Sequence, residues 1–175
     1  MLLKGYRYRI KPTSAQAESF ARHIGCARWT YNWALSLKQS YYAASKKTLS
    51  KRAIQDTLVA LKRTEGKSWL LEVNSQTLLA ALGHVDTAFK NFLQKRTAFP
   101  TFKKKYAARQ SYQCPQHVTV NFEKGTINLP KIKDIKAKFH RRFVGKIKTA
   151  TINKTATGTY FISILVETPE SAPRD

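Results

Sequence analysis

Leu3-Lys4-Gly5-Tyr6-Arg7-Tyr8-Arg9-Ile10-Lys11-Pro12 opens the chain, and its alternation decides the fold. Tyr6, Tyr8 and Ile10 fall on one side of an extended backbone and Arg7, Arg9 and Lys11 on the other. That period of two predicts a half-buried strand with a basic outer face. Pro12 ends it, and Thr13 with Gln16 three residues on has the form of a capping box that starts a helix. A single strand has no stable place without strand partners. The search for them runs the length of the chain.

The next stretch is helical. Phe20, Ile24, Ala27, Tyr31, Ala34 and Leu35 recur at steps of three and four, and Trp29, Trp33 and Leu37 add a second apolar stripe. Gly25 marks a candidate break between two shorter helices, since glycine weakens a helix by roughly 1 kcal/mol relative to alanine. A further helix is expected from Ser50 with Ile54, Leu58 and Leu61 inward, ending near Gly66; Trp69, Leu70 and Leu71 form a connector. Asn74 or Ser75 caps a last helix that buries Leu78, Leu82, Val85, Phe89, Phe92 and Leu93.

Helical spacing stops at Phe99-Pro100-Thr101-Phe102-Lys103-Lys104-Lys105, which reads as a basic linker. After His117, Val118-Thr119-Val120-Asn121-Phe122 and Thr126-Ile127-Asn128-Leu129 flank a Glu123-Lys124-Gly125 turn and predict a hairpin. Residues 146–152 and 159–166 predict a second. The order strand, helices, strands gives an α+β chain, a small β-barrel interrupted by an inserted helical bundle. The expected boundaries are residues 1–11 for the first barrel strand, 12–98 for the helical domain, 99–167 for the remaining barrel and 168–175 for a linker.

Charge indicates the partner. Lys and Arg number 32 against 10 Asp and Glu, a formal net charge of +22 in 175 residues. Such an excess repels itself and is relieved by exchanging counterions on a polyanion. Hydrophobic residues at 42% are enough for a core, so the charge is not that of a disordered tail. No stretch approaches the roughly 20 apolar residues of a spanning helix, and the N-terminus lacks a signal-peptide core. No membrane partner and a cytoplasmic location are therefore expected.

Three basic clusters carry the signal. Arg7, Arg9 and Lys11 lie on the first strand; Lys103, Lys104, Lys105 and Arg109 in the linker; Lys131, Lys133, Lys136, Lys138, Arg141, Arg142, Lys146 and Lys148 between the hairpins. With Tyr6, Tyr8, Phe102, Tyr106 and Tyr112 interleaved, they suggest a phosphate-tracking groove with stacking platforms. Trp29, Tyr31 and Trp33 read as core, while Asn32 between them is a candidate to face a partner.

Chemistry has little foothold. The ten carboxylates are scattered, so no catalytic residue is assigned. Cys26 and Cys114 stand far apart without a metal-ligand spacing, which argues for buried or free thiols and against a metal site or cofactor. His23, His84, His117 and His140 are isolated and read as solvated or helix-face residues.

Tyr8-Arg9-Ile10-Lys11-Pro12, Gly25-Cys26-Ala27-Arg28-Trp29-Thr30-Tyr31-Asn32, Asp86-Thr87-Ala88-Phe89-Lys90-Asn91-Phe92, Phe99-Pro100-Thr101-Phe102-Lys103-Lys104-Lys105 and Ile127-Asn128-Leu129-Pro130-Lys131 form a set. In this order they resemble the N-terminal half of TnpB, or OrfB, a transposon-encoded family. The resemblance implies an RNA-guided DNA endonuclease with an OB-like wedge barrel, a helical recognition domain and a RuvC-like nuclease. It also implies that the chain stops before that nuclease, so the enzyme activity is not carried over. The implied partners are a guide RNA and double-stranded DNA bearing a short adjacent motif. Ser75 and Gln76 match positions that read the motif, and Leu79 replaces the glutamine usual there. Two alternatives stay open: half of a split or decayed endonuclease served by a RuvC domain in trans, and a guide-independent, helix-turn-helix-type DNA binder.

Overall fold

The structure is a computed structural model and describes residues 2–169; the expected linker lies outside the described residues from position 170 onward. The chain forms two compact units, residues 2–21 with 108–169 and residues 22–107.

The first unit is a seven-stranded antiparallel sheet. Its strands are β1 (Leu2–Lys11), β2 (Gln110–Cys114), β3 (Thr119–Asn121), β4 (Thr126–Leu129), β5 (Ile132–Lys138), β6 (Lys146–Lys154) and β7 (Tyr160–Thr168). They pair in the order β2-β6-β7-β1-β5-β4-β3. The alternating N-terminal strand is thus central, with Tyr8 opposite Ile162 on β7 and Ile10 opposite Ala137 on β5. Among the described residues β2 and β3 are the two edges, so strand pairing makes an open sheet and not the closed barrel that was expected. At five and three residues these edge strands are short, as sheet edges commonly are.

One sheet face is the core. Tyr8, Ile10, Ile127, Leu129, Ile135, Ile152, Ile162, Ile164 and Val166 are all buried, each such side chain contributing roughly 1.5–3 kcal/mol. Phe20 of helix α1 (Ser14–Ser45) packs against this unit's Tyr112 and Tyr160, with ring centroids 6.2 and 5.4 Å away. The capping box forms: Thr13 N–H donates to Gln16 Oε1 at 2.9 Å and Gln16 N–H to Thr13 Oγ1 at 3.2 Å. Gln16 also donates from Nε2 to the Lys133 carbonyl at 2.8 Å, beside the kink where Asp134 takes a positive φ of 53°. Position 145 needs glycine, because its φ is 144° and a Cβ there would collide with the Glu167 carbonyl of β7.

The second unit contains the rest of α1, α2 (Lys51–Leu61), a 3₁₀ turn at Ser68–Glu72 and α3 (Ser75–Leu93). Helix α1 runs unbroken through Gly25, contrary to the expected break; the apolar repeat on either side continues in phase, and Ile24, Cys26 and Ala27 are buried. Ser50 caps α2 by accepting the Ala53 N–H at 3.1 Å, and Asn74 caps α3 by accepting the Gln76 N–H at 3.2 Å. Leu35, Ile54, Leu58, Leu70, Leu78, Leu82 and Phe89 close the core. Lys38 is 1% exposed inside it, with its Nζ satisfied by the Leu49 carbonyl at 2.8 Å and Asp86 Oδ1 at 3.2 Å.

Candidate nucleic-acid interface

The register of β1 lays out a charged surface. Residues directly opposite in an antiparallel pair share a face, so Arg9 stands against Lys138 on one side and Phe161 on the other, and Lys11 against Lys136. These cations are exposed and occupy the face opposite Tyr8 and Ile10. Arg7 joins them, its guanidinium carbon 4.0 Å from the Phe161 ring centroid, a cation–π contact that fixes the side chain on the sheet. Thr151, Ser163, Gln113, Ser111 and Asn153 extend the same face as a polar field, by register with Arg7 and Phe161. Like charges directly opposite one another destabilise a sheet by a few tenths of a kcal/mol to about 1 kcal/mol. Here that arrangement occurs twice in succession, at Arg9–Lys138 and at Lys11–Lys136.

The other cations from the sequence do not share this register. Lys131 has a positive φ of 67° in the turn between β4 and β5, and Lys133 is exposed at the β5 kink. Arg141 serves packing, its guanidinium carbon 4.6 Å over the Tyr6 ring and its carbonyl accepting the Tyr8 hydroxyl at 2.9 Å. Arg142 pairs with Glu123 at 3.1 Å and Lys148 with Glu167 at 3.5 Å; Lys146 is opposite Glu167 in the ladder. Lys103, Lys104 and Lys105 belong to the helical unit, and exposed Arg109 precedes β2.

Two of the expected stacking aromatics are core instead. Tyr8 is 0% and Tyr112 3% exposed, because each points to the inner face of its strand. Tyr6 is half-buried under Phe143, 5.1 Å between centroids, while Phe102 and Tyr106 remain exposed. Phe161, which sequence reading passed over, faces the cations; the alternation of β7 was its signal.

Asn32 does not wait for a partner. Its side-chain amide donates to the Lys103 carbonyl at 3.0 Å and accepts the Lys103 N–H at 2.8 Å, the pair of hydrogen bonds a neighbouring strand would make. Lys103 is exposed overall, yet its Nζ lies 4.5 Å over the Tyr31 ring, where loss of water lowers its pKa. His23, expected to be a solvated or helix-face residue, lies on α1 but is buried at 1% exposure, and its Nε2 accepts the Asn74 N–H at 3.1 Å. The start of α3 is therefore anchored to α1. There Ser75 is exposed and Gln76 partly so, whereas Leu79 packs against the helical core.

Both cysteines are buried thiols, neither in a disulfide. Burial, reinforced by Glu72, pushes the Cys26 thiol up to about 11. Among the described residues no His, Cys, Asp or Glu cluster could hold a metal, and no helix is long and apolar enough to cross a membrane.

Fold and surface together define a basic α+β protein with a cationic sheet face and an anchored helical start. Residues 1–47 match the helix-turn-helix domain of the OrfB IS605 type, although residues 2–45 form one strand and one unbroken helix. Over 171 residues, 98% of this chain, it is 30% identical to the "Putative RNA-guided DNA endonuclease InsQ" of Escherichia coli K12. The "Putative RNA-guided DNA endonuclease" of Streptomyces pristinaespiralis is 29% identical over 94% of the chain. The virulence protein VsdF of Salmonella dublin is 29% identical over 60% of the chain and 96% of its own length. The chain spans 42% and 41% of the lengths of the first two. It is related to the N-terminal part of the TnpB, or OrfB, family.

Proposed function

We propose that the chain is a nucleic-acid-holding module of a TnpB-like, RNA-guided system. In this reading the sheet unit is the wedge, OB-like in role if open in its pairing, and residues 12–98 supply the recognition helices. The cationic sheet face follows the phosphates of a guide RNA. The start of α3, with Ser75 and Gln76, turns to the duplex beside the target; a glutamine amide there pairs bidentately with adenine. In this reading the chain holds nucleic acid and does not cut it alone.

The observation that carries this is the pair of like-charged cross-strand neighbours, Arg9–Lys138 and Lys11–Lys136. A sheet stabilised only for itself has no use for them, whereas phosphates spaced along a backbone neutralise both. The test is binding of co-purified RNA across a salt series. With six to ten phosphate contacts, affinity drops roughly 10³- to 10⁵-fold between 50 and 200 mM salt. An Arg9→Gln, Lys138→Gln variant flattens that slope, and an unchanged slope overturns the assignment of the face.

A second reading is half of an endonuclease completed in trans, since the chain spans 42% and 41% of relatives named as putative RNA-guided DNA endonucleases. Cleavage of target DNA once a RuvC domain is added to the chain with guide RNA and Mg²⁺ would favour it, and cleavage without that addition would displace the non-cutting reading. The guide-independent helix-turn-helix reading is weaker, since the matched residues contain a single helix.

A further inference from the structure

An open cavity of about 430 Å³ lies within the helical unit, lined by Arg22, Gly25, Arg28, Trp29, Trp69 and Glu72 among others. Its aromatic walls are fixed. Trp29 stacks on Trp33 with centroids 5.9 Å apart and 11° between planes, and Trp69 meets Trp29 edge-on at 5.4 Å and 84°. Trp69 is locked by its Nε1–H, which donates to the Gly66 carbonyl at 2.9 Å. The rings form a corner, and one stacked partner already covers part of Trp29. Lys67 Nζ, 5.8 Å from the Trp29 centroid, adds a cation at the rim.

Gly25 is the second observation. It sits inside α1, where glycine weakens the helix relative to alanine. Nothing in the packing requires it: a Cβ there would find only Arg28 Nη2, at an ordinary 3.8 Å. What the missing side chain does is leave the cavity wall bare. A flat ligand approaching closely is a reason for such a glycine.

We propose that this cavity takes one unpaired nucleobase, its face on the tryptophan corner, an N–H-bearing edge turned to Glu72 and its phosphate drawn to Arg22 and Arg28. The proposal rests on the nucleic-acid reading above and adds a site to it. Aromatic stacking suits any base, arginine suits the backbone, and an ionised carboxylate can only accept, which on a base edge means from N–H donors. Guanine, with two adjacent donors on its Watson–Crick edge, is therefore preferred over uracil or thymine, which offer one.

All three tryptophans of the chain, Trp29, Trp33 and Trp69, belong to this corner, so intrinsic fluorescence reports on it directly. The experiment titrates the full chain with single-stranded oligomers of RNA and of DNA. Each set contains a uracil- or thymine-only strand, a strand with one central guanine and an abasic strand of equal charge. A Gly25→Leu variant fills the cavity while favouring the helix, and a Glu72→Gln variant keeps its shape. The expected result is tryptophan quenching by guanine-bearing strands and weak quenching by abasic ones. Gly25→Leu loses the quenching and binds guanine strands roughly 5- to 100-fold more weakly, the range one stacked base supplies. Its abasic binding stays the same. Glu72→Gln narrows the guanine preference. If Gly25→Leu binds and quenches as the parent does, the cavity is not a base site, and the sheet reading stands untouched. If no strand, abasic included, binds the parent at low salt, both readings fall. Comparing the RNA and DNA arms identifies which strand supplies the base.

Discussion

His23 Nε2 accepts the backbone N–H of Asn74 at 3.1 Å across 51 residues of sequence. The bond joins the interior of α1 to the cap of α3 and requires His23 to carry no proton on that nitrogen. Asn74 in turn accepts the Gln76 N–H in the first turn of α3 with its own side chain. Orientation of Ser75 and Gln76 thus depends on a histidine buried in another helix.

Replacing His23 with alanine leaves the Asn74 N–H buried without its partner. A loss of roughly 1–3 kcal/mol in unfolding free energy is expected, read by denaturant titration. Faster hydrogen exchange at residues 74–77 accompanies it. Unchanged exchange there would show that the bond does not hold the helix start.

The double variant Lys11→Thr, Lys136→Thr separates stability from function. Removing a directly opposed like-charged pair raises stability by a few tenths of a kcal/mol to about 1 kcal/mol at low salt, and the gain fades as salt screens the charges. Nucleic-acid affinity falls in the same variant. Thermal melts at two ionic strengths and a binding isotherm check both signs.

Asn32→Ala removes both bonds to the Lys103 backbone. The exposed run from Lys103 to Lys105 is then cut faster by trypsin, while far-UV circular dichroism of the helices changes little. Equal cleavage rates in the two proteins would show that Asn32 does not tether the segment.

The thiol of Cys26 is pushed up to about 11, chiefly by burial. In the folded chain it stays protonated where an unfolded thiol, with a pKa near 8.5, ionises. The stabilising preference for the protonated form is complete below the unfolded value and is lost as pH rises towards 11. Alkylation of Cys26 should therefore be slow at pH 8 and accelerate above pH 10, alongside falling stability. Rapid labelling at pH 8 would contradict the burial.

Periodicity and local residue signatures made the first strand, the capping box at Thr13, the start of α2, the cap of α3 and both hairpins legible, because each is set by residues within a few positions of one another. It did not reveal β5: in Lys131-Ile132-Lys133-Asp134-Ile135-Lys136, a kink at Asp134 puts Ile132 and Ile135 three apart on one face, which breaks the period of two. The charge run masked the strand.

The candidate surface divides the same way. From sequence alone came the +22 charge, the alternation that exposes Arg7, Arg9 and Lys11, and the likeness to the TnpB N-terminal part. Only the tertiary structure decided which cations lie together on one face. Register between backbones more than a hundred residues apart set Lys136 and Lys138 beside β1; contacts across 19 residues drew Arg142 to Glu123 and Lys148 to Glu167, and strand pairing turned Tyr8 and Tyr112 inward. Local sequence selects strand or helix because steric preference and hydrophobic spacing act over one or two turns of chain. The partner across a ladder is chosen by the packing of the whole core.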